Sequence, residues 1–285
     1  MDRLTNYFFG FLIIYLFIME GKANDHLLIL AGLGLSIVVA YLAFLLKWIT
    51  LDAIKPVVIL GTITLGFGGW WLGLALIFFF ISSSVLSLIR QRMNPDQEIN
   101  FSPGNPESDD SRRDGFQVWA NGFWIAGFVT IWFLTGIDTF WIASLAVIAV
   151  ATSDTWATEI GTMRPGKTRR IDTFKIVEPG TDGGISIKGI IAALFGSLCA
   201  ALFIIPMFGY IVVTATIVFI SGFLGSVVDS LVGAAYQGSV DEDSMQQPGG
   251  HFARSPEVRR NNFVNWVATG TGGIFTLIIL NIISL

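Results

Sequence analysis

EIGTMRPGKTRR (Glu159–Arg170) contains GTMRPGKT, which fits the nucleotide-binding pattern G-x-x-x-x-G-K-[ST] letter for letter. A true P-loop follows a β-strand and opens a helix. This match follows an apolar run of membrane-spanning length instead. TRRIDTFKIVEPG comes after it, with Pro165 inside the match and Pro179 beyond. No βαβ pattern occurs in the chain, so a P-loop fold is excluded. Lys167 keeps only the role of one cation in a basic loop, and the apolar runs around that loop decide the fold.

Those runs dominate. Of 285 residues, 53% are hydrophobic and 13% charged, against roughly a quarter charged in a soluble domain. The expected fold is all-α: a polytopic transmembrane helical bundle forming a single integral membrane domain over 1–285. Spans are placed near 4–20, 26–46, 52–68, 70–89, 116–135, 139–158, 187–206, 210–232 and 262–284. The first run lacks a small-residue cleavage site and a basic amino-terminal cluster, so it reads as a span and not a signal peptide. The third is short and meets the fourth at GFGGWW (Gly66–Trp71), a tight hairpin with aromatic anchors. The amino-terminal spans cover 4–89, and the motif-bearing core covers 112–284. The polar, Pro-rich stretch at about 93–111 between them reads as a mobile connector. Cys199 lies inside an apolar run, and a single cysteine makes no internal disulfide.

In this topology every Lys and Arg but Lys22 falls on one side. The positive-inside rule makes that side, with the amino terminus and the long loops near 90–115, 159–186 and 233–261, cytoplasmic. The expected location is a cytoplasmic membrane of prokaryotic type. No nucleic-acid partner is expected, and the sequence leaves the oligomeric state open.

Ionisable residues inside spans are costly and mark function. ATSDTWATEIG ends the sixth span with Asp154 and Glu159, and GSVVDSLVGA places Asp229 in the eighth. An acid near a helix end can also simply reach headgroup water. Three more polar groups lie at the same depth, however. QVWANG opens the fifth span with Gln117 and Asn121. EPGTDGGISIKG opens the seventh, and NNFVNWVATG opens the ninth with Asn262 and Asn265. Together they describe one site at the cytoplasmic ends of the helices.

Two carboxylates with amide and hydroxyl neighbours suit Mg2+, which takes one or two carboxylates and fills its shell with water and phosphate. Asp154 and Asp229 are the expected metal ligands, and Glu159 the third catalytic acid. The Gly-rich segment Gly180, Thr181, Asp182, Gly183, Gly184 and Ser186 leads into a helix, where N–H groups and the helix dipole favour an anion. Arg169, Arg170 and Lys175 crowd the same loop. Arg169 and Arg170 fit an anionic headgroup as well as a substrate phosphate. His26 falls on the opposite side, and His251 in a polar loop.

RDGFQVWANG (113–122), SDTWATEIG (153–161), VEPGTDGGISIKG (177–189), GSVVDSLVGA (225–234) and NNFVN (261–265) together resemble the phytyl-phosphate kinase family of integral membrane proteins, which includes eukaryotic transmembrane protein 19. The resemblance spans most of the chain beyond residue 110. It implies conversion of an isoprenyl monophosphate, such as phytyl, geranylgeranyl or farnesyl phosphate, to its diphosphate, with CTP or a related nucleotide as donor and the acceptor held at the lipid bilayer. The motif layout also looks distantly like the lipid cytidylyltransferases and dolichol kinases, and by that analogy Asp154 and Asp229 are the metal ligands; Arg113, Asn121, Asn262 and Asn265 are further nucleotide- or phosphate-binding candidates. Two other functions fit parts of the pattern: a CTP-using lipid-phosphate cytidylyltransferase, and a membrane transporter.

Overall fold

The computed structural model describes residues 2–93, 112–164, 166–204, 211–237 and 256–283. The connector 94–111 and His251 lie outside them. The order of helices is α1 (Asp2–Met19), α2 (Ala23–Leu45), α3 (Ile54–Gly61), α4 (Trp70–Met93), α5 (Gly115–Thr135), α6 (Asp138–Thr162), α7 (Ile187–Ala201), α8 (Ile211–Gln237) and α9 (Pro256–Ile282). The protein is an all-α polytopic membrane protein, with seven helices among the described residues long and apolar enough to cross a bilayer.

The nine expected spans therefore appear as nine helical segments, of which α1 and α3 fall short of that length. The 8-residue α3 continues into a 6-residue π-helical turn, Thr62–Phe67. Together they rise about 21 Å at 1.5 Å per residue, against a hydrocarbon core of about 30 Å. Every residue of the turn is buried. Hydropathy alone cannot separate such an interior half-helix from a span. The wide turn lies hard against α2, where a Cβ on Gly32 would meet the Gly66 nitrogen at 2.9 Å. The hairpin expected at GFGGWW is present: Gly68 and Gly69 separate the turn from α4, and Trp141 Nε1 donates to the Gly68 carbonyl at 2.8 Å.

Local sequence sets the helix ends. Asp114 caps α5, accepting from the Phe116 and Gln117 N–H groups at 2.8 Å each, and Gln117 reaches back to the Asp114 N–H. Ser186 caps α7 through the Gly189 N–H at 3.1 Å.

Contacts between ends show which ones share a face. Asn6 of α1 meets Trp119 of α5, the Trp48–Thr50 backbone pairs with Arg113, Asp52 accepts from the Gly115 N–H, and Arg90 pairs with Glu159. The starts of α1 and α5 and the ends of α2, α4 and α6 thus lie together.

The core is built around α6. Every residue from Trp141 to Ser153 is buried, as in a helix that is apolar all round and surrounded by others. Its neighbours include α4, α5, α7, α8 and α9. Small residues permit close approach: a Cβ on Gly222 of α8 would sit 2.7 Å from Ala149 Cβ, and one on Gly196 of α7 would meet Trp156 and the Thr152 carbonyl. These glycine faces on α7 and α8 are closed by helix packing and leave no room there for a lipid chain.

After α6 the chain departs from an all-helical expectation. Thr168–Arg170 (β1) pairs antiparallel with Ile176–Val177 (β2) and with Gly184–Ile185 (β3), in the order β2-β1-β3. The P-loop-like match thus runs from a helix end into a short strand of an antiparallel sheet. That is the reverse of the order a P-loop requires.

Candidate functional site

Asp154 on α6 and Asp229 on α8 meet across the helix contact, close enough for each side chain to act on the other. The packing one residue away fixes this meeting. Ser153 Oγ lies 2.9 Å from the Ala193 carbonyl and 3.0 Å from Ser226 Oγ, which itself donates to the Phe223 carbonyl at 2.9 Å. Ser153 and Ser226 are both buried, so α6, α7 and α8 are pinned together directly behind the two acids.

The glycine loop closes on the same place. Gly183 has φ +71°, and a side chain there would run into Ala234 and the Ser230 carbonyl of α8. The positive φ and the missing Cβ are both required. The loop thereby sets Asp182 within electrostatic reach of Asp229. Asp229 is thus influenced by acids of two other sequence motifs, Asp154 and Asp182.

The loop is a folded turn in its own right. The Thr181 N–H donates to the Glu178 carbonyl at 3.2 Å, and the Gly184 N–H to the Thr181 carbonyl at 2.8 Å. Thr181 Oγ1 also donates to Glu178 at 2.8 Å. These N–H groups are committed to the turn, and Gly180, at φ +91°, forms its corner. Arg170 donates to the Ala234 carbonyl at 2.5 Å and pairs with Asp172, while Arg169 donates to the Phe174 carbonyl at 2.8 Å. Arg170 therefore ties the sheet to one of the last carbonyls of α8. Lys167 and Lys175 are exposed.

Glu159 takes a different partner. It is buried and lies 2.6 Å from Arg90 Nε of α4, with Arg113 close enough to feel its charge. Burial pushes the Arg113 guanidinium down to about 10, with Glu159 opposing the shift, so it stays charged at neutral pH. Arg113 and Asn121 line a cleft between α2, α3, α4 and α5, where Asn121 Nδ2 donates to the Gln117 carbonyl at 3.2 Å. Asn262 is 1% exposed and its amide nitrogen and oxygen both lack partners; Trp266 Nε1, one turn on, also lacks one. Asn265 is half-buried, and its carbonyl accepts from Thr269 at 2.7 Å. Sequence reasoning missed Arg90, because a cation at a helix end reads as a membrane-side anchor.

The donor set fits a hard cation. No cluster of three His, Cys, Asp or Glu side chains placed to hold a metal occurs among the described residues, but Mg2+ needs only one or two carboxylates. Asp229 Oδ1 is buried and without a hydrogen-bond partner. A buried carboxylate oxygen against a second acid is unfavourable unless a proton or a cation offsets the charge.

Fold and site together define a polytopic membrane protein with two intramembrane acids meeting between α6 and α8. The chain belongs to the integral membrane protein family DUF92, whose model matches residues 34–273. It is 31% identical over 223 residues to an uncharacterized membrane protein of Methanocaldococcus jannaschii, covering 78% of this chain and 81% of that one. It is 26% identical over 235 residues to Protein PGR of Arabidopsis thaliana, covering 70% and 78%. No solved structure matches the chain. The motifs quoted from residues 113–265 fall inside the family match, which bears out the family resemblance.

Proposed function

We propose that this protein is an isoprenyl-monophosphate kinase that uses CTP or a related nucleotide, with Asp154 and Asp229 at its centre. The observation that carries this reading is the meeting of those two acids with Asp229 Oδ1 buried and unpartnered. Asp154 and Asp229 would hold Mg2+, which neutralises phosphate charge when bound. An acceptor monophosphate carries about 1.5 to 2 negative charges near neutral pH, so it attacks without a strong general base. One of its oxygens forms the new bond to the γ-phosphorus. The bond from that phosphorus to the β-phosphate oxygen breaks, and its electron pair leaves with the nucleoside diphosphate. The protein's part is to align these groups and balance their charge. Lys167 and Lys175, exposed at the small sheet that Arg170 ties to α8, would supply further positive charge. The distribution of basic residues supports a cytoplasmic site.

Transport fits less well, because transporter sites lie near the bilayer midplane at broken helices. The acids here lie on the continuous helices α6 and α8, about two turns from their carboxyl-terminal ends. The test is a product analysis. Purified protein, magnesium and CTP are incubated with a panel of prenyl monophosphates, and the products are separated by mass. Prenyl diphosphate with CDP is expected. Pyrophosphate with a cytidylyl lipid would identify a cytidylyltransferase instead.

A further inference from the structure

The cleft holding Arg113 has two unlike parts. Between α2, α3, α4 and α5 a cavity of about 90 Å3 has apolar walls that include Leu35, Val39, Val57, Leu76, Ile77 and Phe80. Its polar groups are few: Arg113, Gln117 and Asn121 stand out. A second, smaller space of about 30 Å3 is lined by Lys47, Trp48, Ser84, Ser87, Leu88 and Gln91, and by the same Arg113. One guanidinium thus stands between an apolar chamber and a polar one.

Two features mark the polar chamber as built for an anion. Arg113 sits 5.5 Å from the centres of both the Phe79 and Phe80 rings, with Ser84 Oγ at 3.4 Å and no carboxylate in ion-pair contact among the described residues. Its backbone is clamped to the segment after α2, through Arg113 N–H to the Trp48 carbonyl and Thr50 N–H to the Arg113 carbonyl, each at 3.0 Å. Lys47 itself ends α2 in the left-handed conformation, at φ 60°. The Trp48 N–H returns to the Ala43 carbonyl and the Lys47 N–H to the Phe44 carbonyl, the helix stop in which glycine is the usual residue. A lysine there carries backbone strain that glycine would not, and Lys47, an exposed residue, is one of those that line the polar chamber.

We propose that the α2–α5 cleft binds the acceptor as a single-chain anionic amphiphile, with its hydrocarbon chain in the apolar chamber and its phosphate between Arg113 and Lys47. This rests on the kinase reading for the identity of the acceptor. The closing contacts on α7 and α8 exclude the chain from those faces, while Arg113 senses Glu159 on the helix that carries Asp154. Glu159 also pairs with Arg90 of α4, a wall of the cleft, which links the cleft to the helix that carries Asp154.

Binding, measured without nucleotide or magnesium, separates this from the kinase reading. The full-length protein in neutral-lipid nanodiscs is titrated with geranylgeranyl monophosphate, geranylgeraniol or phosphatidic acid and read by native mass spectrometry. The monophosphate is expected to bind, and the alcohol about tenfold or more weaker. Arg113→Gln should weaken monophosphate binding about 10- to 100-fold, as loss of a charge-assisted contact does. Lys47→Gly should weaken it several-fold while the melting temperature stays level or rises, because glycine suits that backbone. Leu76→Trp should block the chain, and Asp154→Asn should leave binding in place. Failure of the monophosphate to bind, equal binding by Lys47→Gly, Arg113→Gln and Leu76→Trp, or displacement by phosphatidic acid at equal concentration would overturn the proposal. Intact, Arg113-dependent binding without phosphoryl transfer would instead sink the kinase reading and leave the cleft assigned.

Discussion

Asp229 has one carboxylate oxygen buried without a partner and a second acid, Asp154, against its side chain. An amide in either position can donate to the carboxylate that remains. Asp154→Asn and Asp229→Asn should therefore melt at or above the parent temperature while losing about 100- to 1,000-fold or more in turnover, the scale seen when one charge-stabilising group is lost. Near-normal turnover of either variant at saturating magnesium would remove the acids from the chemistry. A cation bound between them stabilises the fold in proportion to its occupancy. Magnesium should accordingly raise the melting temperature of the parent protein, with no rise in Asp229→Asn. Glu159 differs because its partner is Arg90, and its role is to hold α6 against α4. Glu159→Gln should cost about 1 kcal/mol, the Arg90 side chain being 31% exposed, and should leave the magnesium-dependent shift intact.

At the scale of elements, the informative comparison is between two glycines. Gly183 is left-handed and touches α8, whereas a Cβ on Gly166 would meet nothing closer than the Arg164 carbonyl at 3.9 Å. Gly183→Val should cost about 1–2 kcal/mol for the backbone and about 1–3 kcal/mol for overpacking, with loss of activity as Asp182 moves away. Gly166→Val and Lys167→Ala should stay within about 0.5 kcal/mol of the parent and keep most of their turnover. Thermal melts and steady-state kinetics on the three variants check this order. If the Gly166 and Lys167 variants are the dead ones, the P-loop-like match has a role that this fold denies it. The acids were legible as ionisable residues in apolar runs, and the GFGGWW turn was legible from its glycines. The small sheet was not, because strands of two or three residues carry no periodicity. Lys47 was not, because a cation after a helix looks like any membrane-side anchor. Its left-handed backbone exists only in three dimensions.

For the whole molecule, the hydropathy pattern located every helical segment but could not rank them. The half-helix α3 reads like a span, although it ends in a buried π-helical turn, and α6 reads like its neighbours although it is the helix the others surround. The central place of α6 makes the site depend on distant packing. Gly222 of α8 faces Ala149, with no room for a Cβ. Gly222→Leu should therefore force α6 and α8 apart, costing about 1–3 kcal/mol and separating Asp154 from Asp229. Gly34→Leu, with nothing within 4 Å of its missing Cβ, should be tolerated. Both are read from melting temperature and turnover in one detergent. Equal behaviour of the two variants would mean that the acid pair does not depend on the α6–α8 contact.

The most direct measurement follows the γ-phosphate. CTP labelled at that position is incubated with purified protein, magnesium and a prenyl monophosphate, and Asp229→Asn with an unchanged melting temperature is run beside the parent. The account predicts label in prenyl diphosphate and unlabelled CDP for the parent, and no labelled lipid for the variant. Label released as pyrophosphate, or equal labelled lipid from both proteins, would contradict it.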